Sequence, residues 1–302
     1  MAEDVEHLDH TGSKYADFIQ QHMPEFDRSK LPIAIEVMEN LDIQKQYEDI
    51  VMLFKQAIYS LHSRKKSDAE VMAMEVENHD GAQLIVLVLP GGKRFPIPTL
   101  ETIAKEILAN IDMYREKVRQ GFAVLSIVPL ALPLNDLYKM MARHFRELGN
   151  DVSVKDYAQF ECNPDFIPLA RDGSDVSLLP EWRVSLRKSP VGAPNPLPGE
   201  DCSTHVRNGD ACRGLVVGEQ PITLHEALFM FLGKLAQEEW ENDVVHGLVA
   251  LGARNPADPV AKNPSVYFDP EDPQGPVVNI SGEGDSVAHP VGTAQTVVPI
   301  AI

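Results

Sequence analysis

The clearest hydrophobic pattern lies in residues 42–62, where apolar side chains recur at steps of three and four. This spacing gives one apolar stripe along an α-helix. The stripe consists of Ile43, Tyr47, Ile50, Val51, Phe54, Ile58 and Leu61. Similar spacing predicts shorter helices around residues 14–21 and 32–40, and longer ones over 100–119 and 135–148.

Other apolar patterns in the first half predict strands. Met72, Met74 and Val76 recur at every second position on one face, and continuous apolar runs occupy residues 82–90 and 122–133. Continuous runs are typical of strands that are buried on both faces. Asp80-Gly81 between the first two patterns is a strong hairpin turn. The order of elements predicts a mixed sheet covered by helices in residues 1–150.

Residues 151–302 have a different pattern. Of the 23 prolines, sixteen lie in this half, and most of its apolar runs are short and bounded by glycine or proline. Residues 181–188 alternate between apolar and polar side chains, which predicts a half-buried strand. Thr223 and Glu226 form a capping-box pattern at the start of one amphipathic helix, 224–240. The second half is therefore predicted to be rich in strands and loops.

Together these patterns predict an α+β protein with two units, 1–150 and 151–302, and a boundary near residue 150. The composition is that of a soluble globular protein, with 44% apolar and 24% charged residues. A formal net charge of −18 argues against binding to nucleic acids or to anionic membranes. The first residues lack a secretory pattern, and three cysteines do not make a disulfide scaffold, so we expect a cytoplasmic location.

Residues 201–212 carry the most specific chemical feature. Cys202, His205 and Cys212, joined by Cys162, make a Cys₃His set that could hold structural zinc. A Cys202–Cys212 disulfide and unconnected buried thiols are the alternatives. We expect an ordered loop without bound metal, and hence no cofactor. A cysteine nucleophile with His205 or His225 as its base is a further alternative.

The segment 150–221 also suggests an interface. It has few predicted regular elements, and such long segments are often functional or bound by a partner. Trp182 lies among basic residues, and both Trp and Arg are enriched at interfaces. We therefore predict self-association or a protein partner through the second half, with Trp182, Arg183, Arg187 and Lys188 at the contact.

No sequence motif identifies a reaction. We expect a soluble, acidic binding or structural assembly protein that acts through protein–protein contacts. The alternative is a hydrolase-type or metal-dependent enzyme, whose site would be built from scattered cysteine, histidine and carboxylate residues. A deep pocket with converging polar groups would distinguish the enzyme from the binding protein.

Overall fold

The chain folds into helices and mainly antiparallel sheets, an α+β architecture. The structure is a computed structural model. It describes residues 13–62, 73–79, 82–88, 92–130, 132–134, 137, 161–162, 170–171, 177–178, 181–188, 218–230, 247–249, 253–254, 265–269, 277–281, 293–294 and 296–302.

The described helices follow the predicted order. They are α1 (Lys14–His22), α2 (Leu31–Leu41), α3 (Ile43–His62), α4 (Leu100–Ala109), α5 (Ile111–Arg119) and α6 (Leu224–Met230), with a 3₁₀ turn at Arg28–Lys30. The predicted helix 224–240 is thus confirmed over its described part. The predicted helix 135–148 lies almost entirely outside the described residues.

The described strands are more numerous than predicted. They are β1 (Ala73–His79), β2 (Ala82–Val88), β3 (Arg94–Pro96), β4 (Phe122–Pro129), β5 (Glu161–Cys162), β6 (Ala170–Arg171), β7 (Ser177–Leu178), β8 (Trp182–Lys188), β9 (Gln220–Pro221), β10 (Gly247–Val249), β11 (Ala253–Arg254), β12 (Ser265–Asp269), β13 (Val277–Ser281), β14 (Thr293–Ala294) and β15 (Thr296–Ile300).

The predicted helix 100–119 is two helices. Thr99 caps α4 as expected, since its hydroxyl accepts a hydrogen bond from the Thr102 amide at 3.1 Å. Asn110 separates α4 from α5, and its side-chain amide donates to the Glu106 carboxylate at 2.8 Å. Short polar side chains of this kind compete with the helical backbone for hydrogen bonds. The apolar periodicity continues across the break, which explains why it predicts one helix.

Two sheets contain the strands of the first half. One has the order β1-β2-β3, and the other has the order β4-β8-β15-β9. Every described pairing in these two sheets is antiparallel, so the predicted mixed sheet is corrected for this part of the chain. The parallel pair that the structure describes joins β10 and β14, beyond residue 150.

The sheet β4-β8-β15-β9 joins the two predicted halves. Strand β4 precedes residue 150, whereas its partner β8 follows it, and both contribute to one apolar core. Helices α2, α3, α5 and α6 contact β4. The predicted boundary itself lies outside the described residues. The division into two packed units stays a prediction, and the structure describes one sheet shared across residue 150.

The side chain of Gln46 covers part of the outer edge of β4. The Gln46 amide donates to the Ala123 carbonyl at 2.8 Å and accepts from the Leu125 amide at 2.7 Å. It also donates to the Leu41 carbonyl. Because Gln46 offers one donor and one acceptor to the strand, it takes the place of a neighbouring peptide group. Such coverage protects an edge strand from pairing with another chain.

One residue, Asp42, separates α2 from α3. Asp42, between α2 and α3, has a left-handed backbone with φ of 39°. Its carboxylate accepts hydrogen bonds from Lys14 Nζ and Tyr15 Oη, both at 3.1 Å. Asp tolerates this backbone conformation better than most residues.

Among the described residues, no helix combines the length and apolar character that a bilayer crossing requires.

We expect Gln46→Leu to destabilise the protein by about 1–3 kcal/mol, because the Ala123 and Leu125 peptide groups lose their partner. Urea unfolding measures the loss, and hydrogen exchange at the Leu125 amide should accelerate. Gln44→Ala is the control, since Gln44 is exposed on the same helix and should change stability little. Unchanged exchange at Leu125 would contradict the role assigned to Gln46.

Candidate functional site

Strand β8 carries all four residues predicted to form an interface, and the structure corrects that prediction for three of them. Trp182, Arg183 and Arg187 are only 7%, 6% and 6% exposed within their own chain. Lys188, at the end of the strand, is exposed. The strand is also buried on both faces rather than half-buried, because the face with its polar side chains is covered as well.

A buried cluster of polar side chains, centred on Glu226, covers the polar face of β8. The Glu226 cluster consists of Arg183 and Ser185 of β8, Gln220 of β9, and Thr223 and Glu226 at the start of α6. Arg183 Nε and Ser185 Oγ both donate to Glu226 Oε1 at 2.9 Å. The Thr223 amide and hydroxyl donate to Glu226 Oε2 at 2.8 and 3.0 Å. The cluster thus ties α6 to the sheet.

The same cluster completes the helix cap predicted from the sequence. The Glu226 amide donates to Thr223 Oγ1 at 3.0 Å, while the Glu226 carboxylate accepts from the Thr223 amide. These reciprocal bonds define a capping box, so this prediction is confirmed. The Arg183 guanidinium uses its other nitrogens on Gln220 Oε1 at 3.0 Å and the Pro221 carbonyl at 3.4 Å.

The bonding pattern limits the chemistry that Glu226 can perform. A carboxylate has about four lone-pair sites, and Glu226 accepts four hydrogen bonds from protein groups. It therefore has no free site for a metal ion or for a proton taken from a substrate. The Glu226 side chain forms an ion pair with Arg183 and is only 1% exposed. These properties describe a structural group that holds α6 on the sheet.

His225, considered from the sequence as a possible catalytic base, is also buried. Its Nε2 lies 2.9 Å from the Leu132 carbonyl, a contact in which the ring nitrogen donates. Burial lowers the pKa of His225 to about 4, against the smaller opposing effects of the Leu132 carbonyl and Glu226. The imidazole is therefore neutral at pH 7 and serves as a hydrogen-bond donor within the core.

Trp182 packs against aromatic side chains. Its ring meets Phe54 edge to face with centroids 5.8 Å apart, and Phe54 contacts Phe229 at 4.8 Å. This packing joins β8, α3 and α6. The Trp182 Nε1–H meets no hydrogen-bond acceptor within the described part of the chain.

The basic end of β8 lies beside a second buried ion pair. Lys117 Nζ is 2.9 Å from Glu219 Oε1, and both side chains are largely buried. The ammonium groups of Lys117 and Lys188 lie 5.5 and 4.8 Å from the centre of the Phe122 ring. Contacts of this kind are favourable cation–π interactions. The positive charges near Phe122 are thus engaged within the chain.

The predicted zinc set falls mostly outside the described residues. Cys162 belongs to β5, which pairs with β11 at Ala253. Cys202, His205 and Cys212 lie outside the described residues, so the zinc set and its alternatives stay predictions. Within the described residues, no group of three or more potential metal-binding side chains occurs.

The best candidate for a functional surface is strand β1. Val76 in its middle is 57% exposed, and Glu75 and Glu77 on either side have side chains 48% and 42% exposed. Arg94 of β3 donates to Glu75 Oε2 at 2.6 Å and to Glu77 Oε1 at 3.0 Å. We call Ala73–His79, with these side chains, the β1 edge.

The β1 edge could not be recognised from the spacing of apolar residues, for a physical reason. The spacing places Val76 on one face with Met72 and Met74. Alternation reveals which residues share a face but not whether that face is covered. The Glu-Val-Glu triplet at 75–77 was the available signal, because it places carboxylates on either side of an apolar residue.

We compared the chain with protein-family models, with curated proteins and with solved structures, and none of them matches it.

We expect Glu226→Gln to destabilise the protein by about 3–5 kcal/mol, because it leaves the buried Arg183 cation without a charged partner. Urea unfolding followed by circular dichroism measures the change. Glu48→Gln is the matched control, since Glu48 is exposed on α3 and should shift stability by less than about 0.5 kcal/mol. Equal effects of the two substitutions would refute the structural role of the cluster.

We expect the stability contributed by His225 to depend on pH. A histidine titrates near 6.5 when unfolded, whereas the pKa of folded His225 is about 4. Between these values the unfolded chain binds a proton that the folded chain does not. The contribution is therefore complete above about pH 6.5 and is lost as pH falls towards 4. The loss amounts to about 1.4 kcal/mol per pH unit within this window.

The comparison is urea unfolding of wild type and His225→Gln at pH 7 and pH 5. Glutamine retains an N–H donor for the Leu132 carbonyl but does not titrate. The wild type should therefore lose more stability on acidification by about 2 kcal/mol. Gln44→Ala, which removes no titratable group, should follow the wild type. Equal losses in wild type and His225→Gln would contradict a buried, neutral imidazole.

Proposed function

We propose that this acidic protein works by binding another protein rather than by catalysing a reaction. The observation that carries the proposal is the β1 edge, where an apolar side chain stands exposed between two carboxylates on an outer strand. Outer strands present unpaired peptide groups, and proteins commonly recognise extended segments by adding them to such a strand.

The buried polar groups favour binding over catalysis. A catalytic base or nucleophile must reach a substrate with a lone pair available. Glu226 accepts four protein hydrogen bonds, and the ring of His225 is buried against the Leu132 carbonyl. In the described part of the chain, these are therefore groups that stabilise the fold.

The proposal changes the contact surface predicted from the sequence. That prediction used Trp182, Arg183 and Arg187, which are buried, whereas the β1 edge lies in the first half.

Self-association stays a prediction, and light scattering at micromolar concentration tests it. A cytoplasmic location belongs to the same proposal, because the cysteine content is typical of a reducing compartment.

Photo-crosslinking tests the proposed function. We expect p-benzoylphenylalanine in place of Val76 to give a discrete light-dependent adduct in an extract of cells that make the protein. Mass spectrometry then identifies the attached protein. Met113, which is 40% exposed on α5, is the matched control position and should give no such adduct. Absence of any adduct at position 76, in a variant that remains folded, would overturn the proposal.

A further inference from the structure

We propose that the β1 edge binds an extended segment of a partner protein in which an apolar residue lies between two basic residues, and that this segment adds to the sheet as a further strand. This inference rests on the proposed function and specifies the chemistry of the partner. It follows from the order of the strands, from the exposed side chains of β1 and from their charges.

The structure describes strand pairing on one side of β1. All seven residues pair with β2, and no described strand pairs with the opposite side of β1. In an edge strand, alternate residues direct their N–H and C=O groups away from the sheet. An extended segment can satisfy these groups by continuing the hydrogen-bonded ladder.

Three other outer strands of the described sheets carry some protection. Gln46 covers β4. Strand β9 has only two residues and ends in Pro221, which has no N–H, and β3 is short and ends in Pro96. Short edge strands and proline are devices that prevent pairing with another chain. The β1 edge lacks both of these devices, although it is longer than β3 and β9.

The side chains of β1 specify the residues of the added strand. Residues directly opposite each other in a sheet share a face. The residue opposite exposed Val76 should therefore be apolar, and those opposite Glu75 and Glu77 should be basic. Arg94 bridges both carboxylates, so the group of three carries a net charge of −1 and still attracts cations. The preferred segment is basic-apolar-basic.

The same charges disfavour a second copy of this chain as the occupant. Antiparallel pairing of two β1 strands about Val76 would place Glu75 of each copy opposite Glu77 of the other. Parallel pairing in register would place each glutamate opposite itself. Like charges directly opposite each other destabilise a sheet, and each chain carries a formal net charge of −18. A basic segment of another protein avoids this repulsion.

The probe is a synthetic seven-residue peptide with Lys-Val-Lys at its centre and threonines on both sides, blocked at both ends. We expect saturable binding to the full chain, with chemical-shift changes concentrated at the amides of 73–79. A peptide with Glu-Val-Glu at its centre should not bind, because its charges repel Glu75 and Glu77. A Lys-Pro-Lys peptide should bind much more weakly, because proline cannot donate to the ladder.

Two variants of the protein test the surface itself. Glu75→Gln/Glu77→Gln should weaken binding at least about fivefold, since two opposite-charge pairs across the strands are lost. Glu25→Gln/Glu116→Gln removes two exposed carboxylates from other elements and should leave affinity unchanged. Val76→Lys changes an exposed side chain, so it should fold normally, and it should abolish binding by placing a positive charge at the edge.

The outcomes separate this proposal from the proposed function. No binding at about 1 mM Lys-Val-Lys peptide, equal binding of the Glu-Val-Glu peptide, or unchanged affinity in Glu75→Gln/Glu77→Gln each overturns the basic-segment proposal. If position 76 still crosslinks to another protein in that case, the protein-binding function stands. If position 76 crosslinks to a second copy of the chain, self-association replaces the proposed partner. Failure of both peptide and crosslink overturns both proposals.

Discussion

The central sheet depends on one buried carboxylate. Strand β8 joins β4 to β15, but one of its faces carries Arg183 and Ser185, which would be costly to bury without partners. Glu226 supplies the acceptor for both and neutralises the guanidinium. Because the same carboxylate also accepts from the Thr223 amide, the beginning of α6 is fixed on the strand that the carboxylate stabilises. One carboxylate therefore links the sheet to the helix.

Glu226 and Gln46 show a common principle in different settings. Each is a polar side chain that supplies partners to groups the fold would otherwise leave unpaired, in one case an arginine and in the other the peptide groups of β4. Buried polar groups destabilise a protein unless they are hydrogen-bonded. Both side chains are occupied by that task, which leaves neither available for chemistry. The exposed residues of β1 are the contrasting case.

Local features of this fold could be predicted from the sequence, and long-range partners could not. The apolar stripe of α3 and the Thr223–Glu226 capping box depend on residues a few positions apart, so spacing alone identifies them. The pairing of Arg183 with Glu226 spans 43 residues and leaves no periodic signal. Without it, the alternation in residues 181–188 predicts a half-buried strand with exposed arginines. Spacing likewise cannot show that Asn110 divides one helical pattern into two helices.

The amide of Gln46 also restricts how the junction before α3 can vary in length. An α-helix turns by about 100° per residue. One residue inserted between Asp42 and Gln46 would rotate the amide away from β4, and the left-handed backbone at Asp42 leaves little room to compensate. A deletion would rotate it by the same angle in the opposite sense. Related chains that keep this arrangement should therefore tolerate substitutions in the segment but neither insertions nor deletions.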